Sequence, residues 1–272
     1  MTDHGDAANR RWATALRRWA IPGDLVAAAA ETPYFFSSAV FTAAADAALD
    51  RAEDTVSDAV ASEALPDGGA VLDVGVGAGA ASLRLPAGHV IGVDPDLELL
   101  EAFIARAARR GIRSTAIQGA WPDVESRTPT ADIAVCHHVV YNVADLAGFA
   151  TALTAHAERR VVIELTAVHP MTWLAPYWEA LHGIRQPDRP TVDDAVALLT
   201  GLGLDVRQQR WRRPVQMIGE NDADAVARIA RRLCLSADRH DELARLLALD
   251  PPPTEREVVT LWWEVRERAR TR

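Results

Sequence analysis

The sequence predicts an α/β fold in which a doubly wound, mostly parallel sheet follows an N-terminal helical extension. From about residue 70 onward, short apolar runs alternate with helical segments, as a sheet with helices on both faces requires. A glycine-rich turn follows the first of these runs, in VLDVGVGAG. The first 65 residues have a different apolar pattern from the rest of the chain, because their apolar positions recur at helical spacing.

Residues 1–65 are interpreted as an N-terminal helical cap. The segment RRWATALRRWA places two tryptophans and a leucine at helical spacing, and IPG ends the helix. Helical spacing resumes over 25–30 and 39–64, after a break at 32–36. We expect this region to cover the pocket of the sheet domain, and burial of its apolar face in a homodimer is the alternative. The expected lid residues are Tyr34, Phe35 and Phe36.

The segment from Val71 to Pro95 reads as strand, glycine loop, short helix and second strand. Asp73 interrupts the first strand, and glycines at 75, 77 and 79 give the turn conformational freedom without side chains. Leu83 and Leu85 are placed on the short helix, which ends at Pro86. The next strand carries Asp94 at its carboxyl end.

Asp94 is expected to face a ligand. Open parallel sheets bind ligands at the carboxyl ends of their strands, and a carboxylate there can accept hydrogen bonds from both hydroxyls of a ribose. The alternative is an N-cap of the helix that runs to Arg110. Asp96 is the better cap, because Pro95 separates Asp94 from that helix.

The glycine spacing alone fits two kinds of nucleoside cofactor. Gly75, Gly77 and Ala80 satisfy the G-x-G-x-x-A fingerprint of nicotinamide-dependent enzymes. Three further features resemble class I S-adenosylmethionine-dependent methyltransferases: Asp73 within the strand, the G-x-G-x-G order and the long segment before the strand. The resemblance extends from Val71 to about Leu165 and is to a small-molecule enzyme of a bacterial group.

The resemblance implies a seven-stranded Rossmann-like sheet over 66–272 with an antiparallel last strand. It also implies that S-adenosyl-L-methionine is the cofactor, that Asp73 helps to hold the methionine moiety and that Asp94 binds the ribose. The adenine would lie after the third strand, where Trp121 either stacks on the base or forms a hydrophobic plug. The implied cofactor-binding residues are Asp73, Gly75, Gly77, Gly79, Asp94, Pro95, Gly119, Ala120, Trp121 and His137.

The remaining elements follow the alternation of the sheet. Later strands are predicted over 114–118, 131–136, 160–165, 204–212 and 257–263. Helices are predicted over 96–110, 146–156 and 192–202. A helical insertion around 222–250 separates the last two strands.

Two histidines are candidates for catalysis. His138 follows the fourth strand, where the resemblance places the reactive methyl group, and His169 lies just before Pro170. A histidine can take a proton near neutral pH, although a structural role is the more frequent outcome for any single one. Adjacent His137 and His138 cannot point the same way in an extended strand, so at most one is expected to face the acceptor.

The connection after the fifth strand is rich in aromatic residues and predicts a pocket for an aromatic or apolar small molecule. An amphipathic helix that packs against the domain is the alternative. The acceptor atom is left open among oxygen, nitrogen and carbon. The predicted substrate-binding residues are Tyr34, Phe36, Tyr141, Trp173 and Tyr177.

Composition limits the alternatives. The net charge of −9 argues against a general nucleic-acid binder, and Arg210, Arg212 and Arg213 are interpreted as a solvated face. Two cysteines without metal-like spacing predict a reducing cytoplasm and no metal site. No apolar run has membrane-spanning length. An NAD-dependent oxidoreductase remains an alternative, although the chain has no lysine for a tyrosine and lysine pair; a non-catalytic S-adenosylmethionine-binding protein is another.

Overall fold

Seven strands form one mixed sheet in the computed structural model, which describes residues 3–34, 38–215 and 222–265. The strands are β1 (Ala70–Val74), β2 (His89–Asp94), β3 (Arg113–Gln118), β4 (Ala131–His137), β5 (Ala157–Thr166), β6 (Arg207–Pro214) and β7 (Glu255–Glu264). Their order in the sheet is β3-β2-β1-β4-β5-β7-β6. The first five pair in parallel, and β7 runs antiparallel to β5 and β6. The expected doubly wound sheet with an antiparallel last strand is confirmed.

Helices cover both faces of this sheet. The α-helices of the described residues are α1 (Asp3–Arg17), α2 (Gly23–Ala28), α3 (Ser38–Leu49), α4 (Val56–Ala64), α5 (Leu97–Arg109), α6 (Leu146–His156), α7 (Ala175–His182), α8 (Val192–Gly201), α9 (Asp222–Arg232) and α10 (His240–Leu249). Central strands are buried on both faces, which explains their nearly continuous apolar sequences. None of the helices among the described residues is long and apolar enough to cross a membrane.

The N-terminal region packs against both faces of the sheet. On one face, Trp12 of α1 is buried in a core with Phe149 and Trp263, and its indole nitrogen donates to the Val143 carbonyl at 2.8 Å. On the other face, Ala61 of α4 packs in the core beneath α5. The structure therefore shows these helices as part of the packing of the sheet. The domain division at residue 65 and the lid role of Tyr34 stay predictions, and Phe35 and Phe36 lie outside the described residues.

The segment between β6 and β7 contains α9 and α10, where the sequence predicts a helical insertion. The two helices share an apolar core with α7, in which Trp178 and Leu181 contact the cluster of Ile229, Leu233 and Leu243. Arginines 231 and 232 also donate hydrogen bonds to the carbonyls of residues 32 and 33. The insertion is thus packed against the segment that joins α2 to α3.

Two predicted helices differ from the structure. The residues after the glycine loop form turns, with only isolated helical hydrogen bonds such as Leu83 N to the Gly79 carbonyl at 3.2 Å. Between Gly79, which has a positive φ, and Pro86 the chain stays in turns and one bend, so the short helix expected there is absent. The helix predicted over 39–64 is interrupted at 50–55, because Thr55 and Asp58 form a capping box that begins α4.

Candidate functional site

The glycine loop after β1 requires glycine at specific positions. Gly75, Gly77 and Gly79 have φ values of +74°, +52° and +91°, which side chains adopt only with strain. A Cβ on Gly75 would lie 2.2 Å from a methyl group of Val139, whereas a Cβ on Gly77 would meet nothing within 4 Å. Gly75 is therefore needed for packing, and Gly77 leaves a stretch of backbone open to a ligand.

Asp94 is held against this loop at the end of β2. Its Oδ2 accepts a hydrogen bond from Gly77 N at 2.9 Å, and its Oδ1 accepts one from Asp96 N at 2.9 Å. Burial raises the pKa of Asp94 above its ordinary value, and the two backbone donors oppose that rise. The expectation that Asp96 caps α5 is confirmed, since its side chain accepts from Leu99 N.

Asp73 is fully buried without a partner. Neither of its carboxylate oxygens receives a hydrogen bond from the described residues, and the buried hydroxyl of Ser82 is also unpaired. Burial raises the pKa of Asp73 to about 6. The hydroxyl and backbone N–H of Ser82, which approach the carboxylate without reaching normal hydrogen-bond geometry, and His137 offset only part of that rise. Buried polar groups almost always have partners, so this carboxylate fits a site that a bound polar group completes.

The residues after β3 complete the edge of this crevice. Gly119 N donates to the Asp94 carbonyl at 3.0 Å, and Ala120 is exposed beside it. Trp121 is 8% exposed and packs in the core, with its indole nitrogen 3.4 Å from the Phe149 carbonyl. Of the two interpretations of Trp121, this packing supports the hydrophobic plug.

Both histidines at the end of β4 approach one carboxylate, that of Glu164 on β5. His138 Nε2 lies 2.9 Å from Oε1 of Glu164, and His137 Nδ1 lies 3.9 Å from Oε2. The two rings can meet at one carboxylate because His138 leaves the extended conformation, with φ +60°; that at most one of them faces the acceptor stays a prediction. Its backbone nitrogen also donates to the Glu164 carbonyl at 2.7 Å.

Two further donors, from α4 and β6, reach the carboxylate of Glu164. Ser57 Oγ of α4 donates to Oε2 at 2.7 Å, and Arg213 Nη1 of β6 lies 3.2 Å from Oε1. Ser57 also contacts Thr260 of β7 at 2.8 Å. Burial acts to raise the pKa of Glu164, but His137, His138 and Arg213 together hold it well below its ordinary value.

Sequence reasoning missed most of this Glu164 cluster. The available signal was an acidic residue inside the otherwise apolar run VVIELT. The interpretation of Arg213 as part of a solvated face is wrong, since this arginine pairs with a buried carboxylate. Arg210 and Arg212 do form exposed ion pairs, with Asp193 and Glu257 and with Glu255.

His169 belongs to a different set of contacts from His138. Its ring stacks on Trp19 at a centroid distance of 3.8 Å and meets Tyr141 edge-on at 5.3 Å. Its Nδ1 accepts from Met171 N at 3.3 Å, and burial lowers its pKa to about 4. Tyr141 in turn stacks with Trp12 and donates its hydroxyl proton to the Thr166 carbonyl.

The predicted substrate-binding residues lie in separate places. Tyr141 is buried beside His169. The rings of Trp173 and Tyr177 meet edge-on, with their centroids 6.2 Å apart, in the core shared with α9 and α10. The Tyr177 hydroxyl donates to the Asp250 carbonyl. Tyr34 is 54% exposed. Phe36 lies outside the described residues.

Two surface cavities lie apart from the crevice. One, of about 240 Å³, is lined by Asp46, Leu49, Asp50, Arg106, Arg109 and Arg110. The other, of about 520 Å³, is lined by Arg18, Arg185, Gln186, Pro187 and Asp188. Neither is lined by a predicted site residue, so the candidate site rests on the strand ends and the glycine loop. Among the described residues, no group of three or more His, Cys, Asp or Glu side chains is placed to hold a metal ion.

Comparison with known proteins identifies the segment that forms the crevice. Residues 71–158 match the family model of the methyltransferase domain. This segment begins in β1 and ends in β5, so it contains the glycine loop, Asp73, Asp94 and both histidines at the end of β4. No curated protein matches the chain.

Solved structures share the fold at low sequence identity. The YcgJ protein of Bacillus subtilis is 19% identical, with a TM-score of 0.53, and the match covers 78% of this chain and 99% of that chain. A candidate methyltransferase from Bacillus halodurans C-125 is 11% identical, with a TM-score of 0.52 and the same coverage. A cyclopropane-fatty-acyl-phospholipid synthase-like protein from Lactobacillus casei is 17% identical, with a TM-score of 0.52, covering 82% of this chain and 92% of that chain.

Proposed function

We propose that the chain transfers a methyl group from S-adenosylmethionine to a small-molecule acceptor, because residues 71–158 match the methyltransferase-domain model and the fold is shared with a candidate methyltransferase. The buried, unpaired carboxylate of Asp73 beside the glycine loop carries the proposal. The amino-acid part of the cofactor would supply the polar contacts that the Asp73 carboxylate does not receive from the described residues. Asp94 and the open backbone at Gly77 would hold the ribose and its neighbourhood.

The residues present fit this cofactor by their chemistry. Asp73 offers two acceptor oxygens to an ammonium group or to an ordered water that bridges to it. Asp94 would offer acceptors to a ribose from a carboxylate that the backbone N–H groups of Gly77 and Asp96 already hold in place. Ala120 has no polar side chain to bind the adenine. Gly119 and Ala120 would therefore offer their main-chain groups to it. We place the cofactor at these residues.

When bound, S-adenosylmethionine supplies an activated methyl group on a sulfonium. The protein then has to align the acceptor, exclude water and, for a protic acceptor, remove a proton. The rings of Trp19, Tyr141 and His169 form an aromatic surface on the side of α1, which favours an apolar or aromatic acceptor. A cytoplasmic location and a small-molecule acceptor belong to this proposal.

Calorimetry tests the cofactor assignment directly. S-adenosylmethionine and its demethylated product should each bind with one site per chain, and NAD should not bind. Gly77→Val should weaken both, because a branched side chain would fill the open backbone. Gly111→Val is the matched control: Gly111 also has a positive φ of +68° and open space, but it lies between α5 and β3, away from the crevice. Binding of NAD alone, or equal affinity in the two variants, would overturn the assignment.

A further inference from the structure

The donors around Glu164 form a directed chain of hydrogen bonds. The hydroxyl of Ser57 has one proton, which it donates to the Glu164 carboxylate. In the contact between Ser57 and Thr260, Thr260 is therefore the donor. The Thr260 oxygen in turn accepts from the indole nitrogen of Trp211 at 3.0 Å. Every proton in this chain is thus directed toward the carboxylate.

This arrangement fixes the carboxylate in place. Oε1 of Glu164 is held by His138 and Arg213, and Oε2 is held by Ser57. The holding residues come from α4, from the end of β4 and from β6, so rotation of the carboxylate would break contacts with three elements. The side chain of Glu164 is only 3% exposed, whereas that of His138 is 34% exposed. A buried anion therefore holds a ring that reaches the surface of the site.

The fixed carboxylate also determines which ring nitrogen of His138 is basic. An ionised carboxylate offers only acceptor lone pairs, so the 2.9 Å contact between Nε2 of His138 and Oε1 of Glu164 favours the tautomer with its proton on Nε2. In the neutral ring the lone pair is then on Nδ1. Within the part of the chain that the structure describes, this nitrogen has no hydrogen-bond partner. It is available to a molecule that enters the site.

We propose that Glu164 is a positioning residue that presents Nδ1 of His138 as a general base to a protic acceptor, one with a hydroxyl or N–H group. This inference rests on the proposed methyl transfer. As the acceptor atom bonds to the methyl carbon, the carbon–sulfur bond breaks with its electron pair on sulfur, and the acceptor proton moves to Nδ1. The imidazolium is then paired with Glu164, and its proton returns to water.

The surrounding groups favour His138 over His169 for this role. His169 uses Nδ1 to accept from Met171 N, and it is enclosed between Trp19 and Tyr141. The charged and titratable groups near His138 are Glu164, Arg213 and His137. His138 and Arg213 both contact Oε1 of Glu164. The carboxylate would pair with an imidazolium at His138, whereas the positive charge of Arg213 would repel it.

Histidine NMR on the whole protein tests the geometry without cofactor or acceptor. The nitrogen shifts of His138 should report a proton on Nε2 in the neutral ring. In Glu164→Gln the preference for a proton on Nε2 should weaken, because an amide can present a donor as well as an acceptor to the ring. Glu63→Gln, which removes a surface carboxylate paired with Arg160, is the matched control and should leave His138 unchanged. A proton on Nδ1 in the wild-type protein would overturn the proposal, and this reading needs no variant.

Turnover separates the positioning role from the proposed function. Release of S-adenosylhomocysteine would be followed with a panel of small phenols and secondary amines. His138→Gln and Glu164→Gln should each lower kcat by about 10²-fold or more, with cofactor affinity and KM for the acceptor near wild type. Failure of the wild-type protein to bind cofactor would refute the proposed function itself. Normal cofactor binding with unchanged turnover in His138→Gln would refute only the role of the Glu164–His138 pair.

Discussion

Two buried carboxylates lie near the carboxyl ends of strands of the same sheet and have opposite surroundings. Asp73 on β1 has no hydrogen-bond partner among the described residues, and its pKa is raised to about 6 by burial. Glu164 on β5 is held by Ser57, His138 and Arg213, and its pKa is lowered despite burial. The partners, and not the depth of burial, decide the protonation of each group.

The different surroundings of the two carboxylates favour Asp73 as the one that contacts a ligand. A buried charge without partners is costly, and such sites persist where function requires them. Under the proposed function, the bound cofactor would supply the polar contacts that Asp73 does not receive from the described residues. The cluster at Glu164 is complete, so it is already organised before any ligand arrives and can orient a side chain such as His138.

The largest effect is expected at Asp94, which we propose to bind the ribose of the cofactor. Asp94→Ala should raise the Kd for S-adenosylhomocysteine by roughly 10²–10⁴, because two charge-assisted hydrogen bonds to a ribose would be lost at about 1.5–3 kcal/mol each. Asp96→Ala is the control in calorimetry: it removes the cap of α5 but no cofactor contact. An unchanged Kd in folded Asp94→Ala would remove Asp94 from the site.

The next effect tests the complete cluster. Glu164→Ala should lower the free energy of unfolding by about 3–5 kcal/mol, because Arg213 and the Ser57 hydroxyl lose their buried partner. Urea unfolding would measure this. Glu63→Ala removes the partner of Arg160, a carboxylate whose side chain is 74% exposed, and should cost far less stability than Glu164→Ala. Similar losses in both variants would mean that the Glu164 cluster is no stronger than a surface ion pair.

The crevice was largely predictable from the sequence, because local pattern determines it. An apolar strand interrupted by Asp73, a glycine loop and a second strand ending at Asp94 are features of one continuous segment. The seven-stranded sheet with its antiparallel last strand was expected from the family resemblance. The strand at 204–212 begins later, at Arg207, since Leu204 and Val206 pack beside the preceding helix instead. Larger differences are the missing short helix after the glycine loop and the break at 50–55.

The Glu164 cluster was not predictable in the same way. It depends on the antiparallel register that places Glu164 opposite Thr260, and on the positive φ that turns His138 toward β5. Ser57 reaches the cluster from a helix more than a hundred residues away in sequence. Neither hydrophobic periodicity nor motif spacing contains this information, because it arises from tertiary pairing.

The smallest expected effect is the most direct test of the comparison. Asp73→Asn should increase the free energy of unfolding at pH 7 by about 1–3 kcal/mol, because it removes an ionised group that burial disfavours. The same variant should bind S-adenosylhomocysteine more weakly. Glu164→Gln is the contrasting control, since the loss of a well-paired carboxylate should lower stability instead.

The pH dependence fixes the sign of the Asp73 effect. The folded pKa of about 6 lies above the ordinary value of 3.8, so the folded protein binds the extra proton between these values and its stability falls as pH rises through them. The stability difference between Asp73→Asn and wild type should thus be near zero below about pH 4, grow up to pH 6 and stay constant above it. Urea unfolding at pH 4, 5, 6 and 7 measures that difference. A variant that is less stable than wild type at pH 7 would mean that the Asp73 carboxylate has a partner in the free protein, and the contrast with Glu164 would be lost.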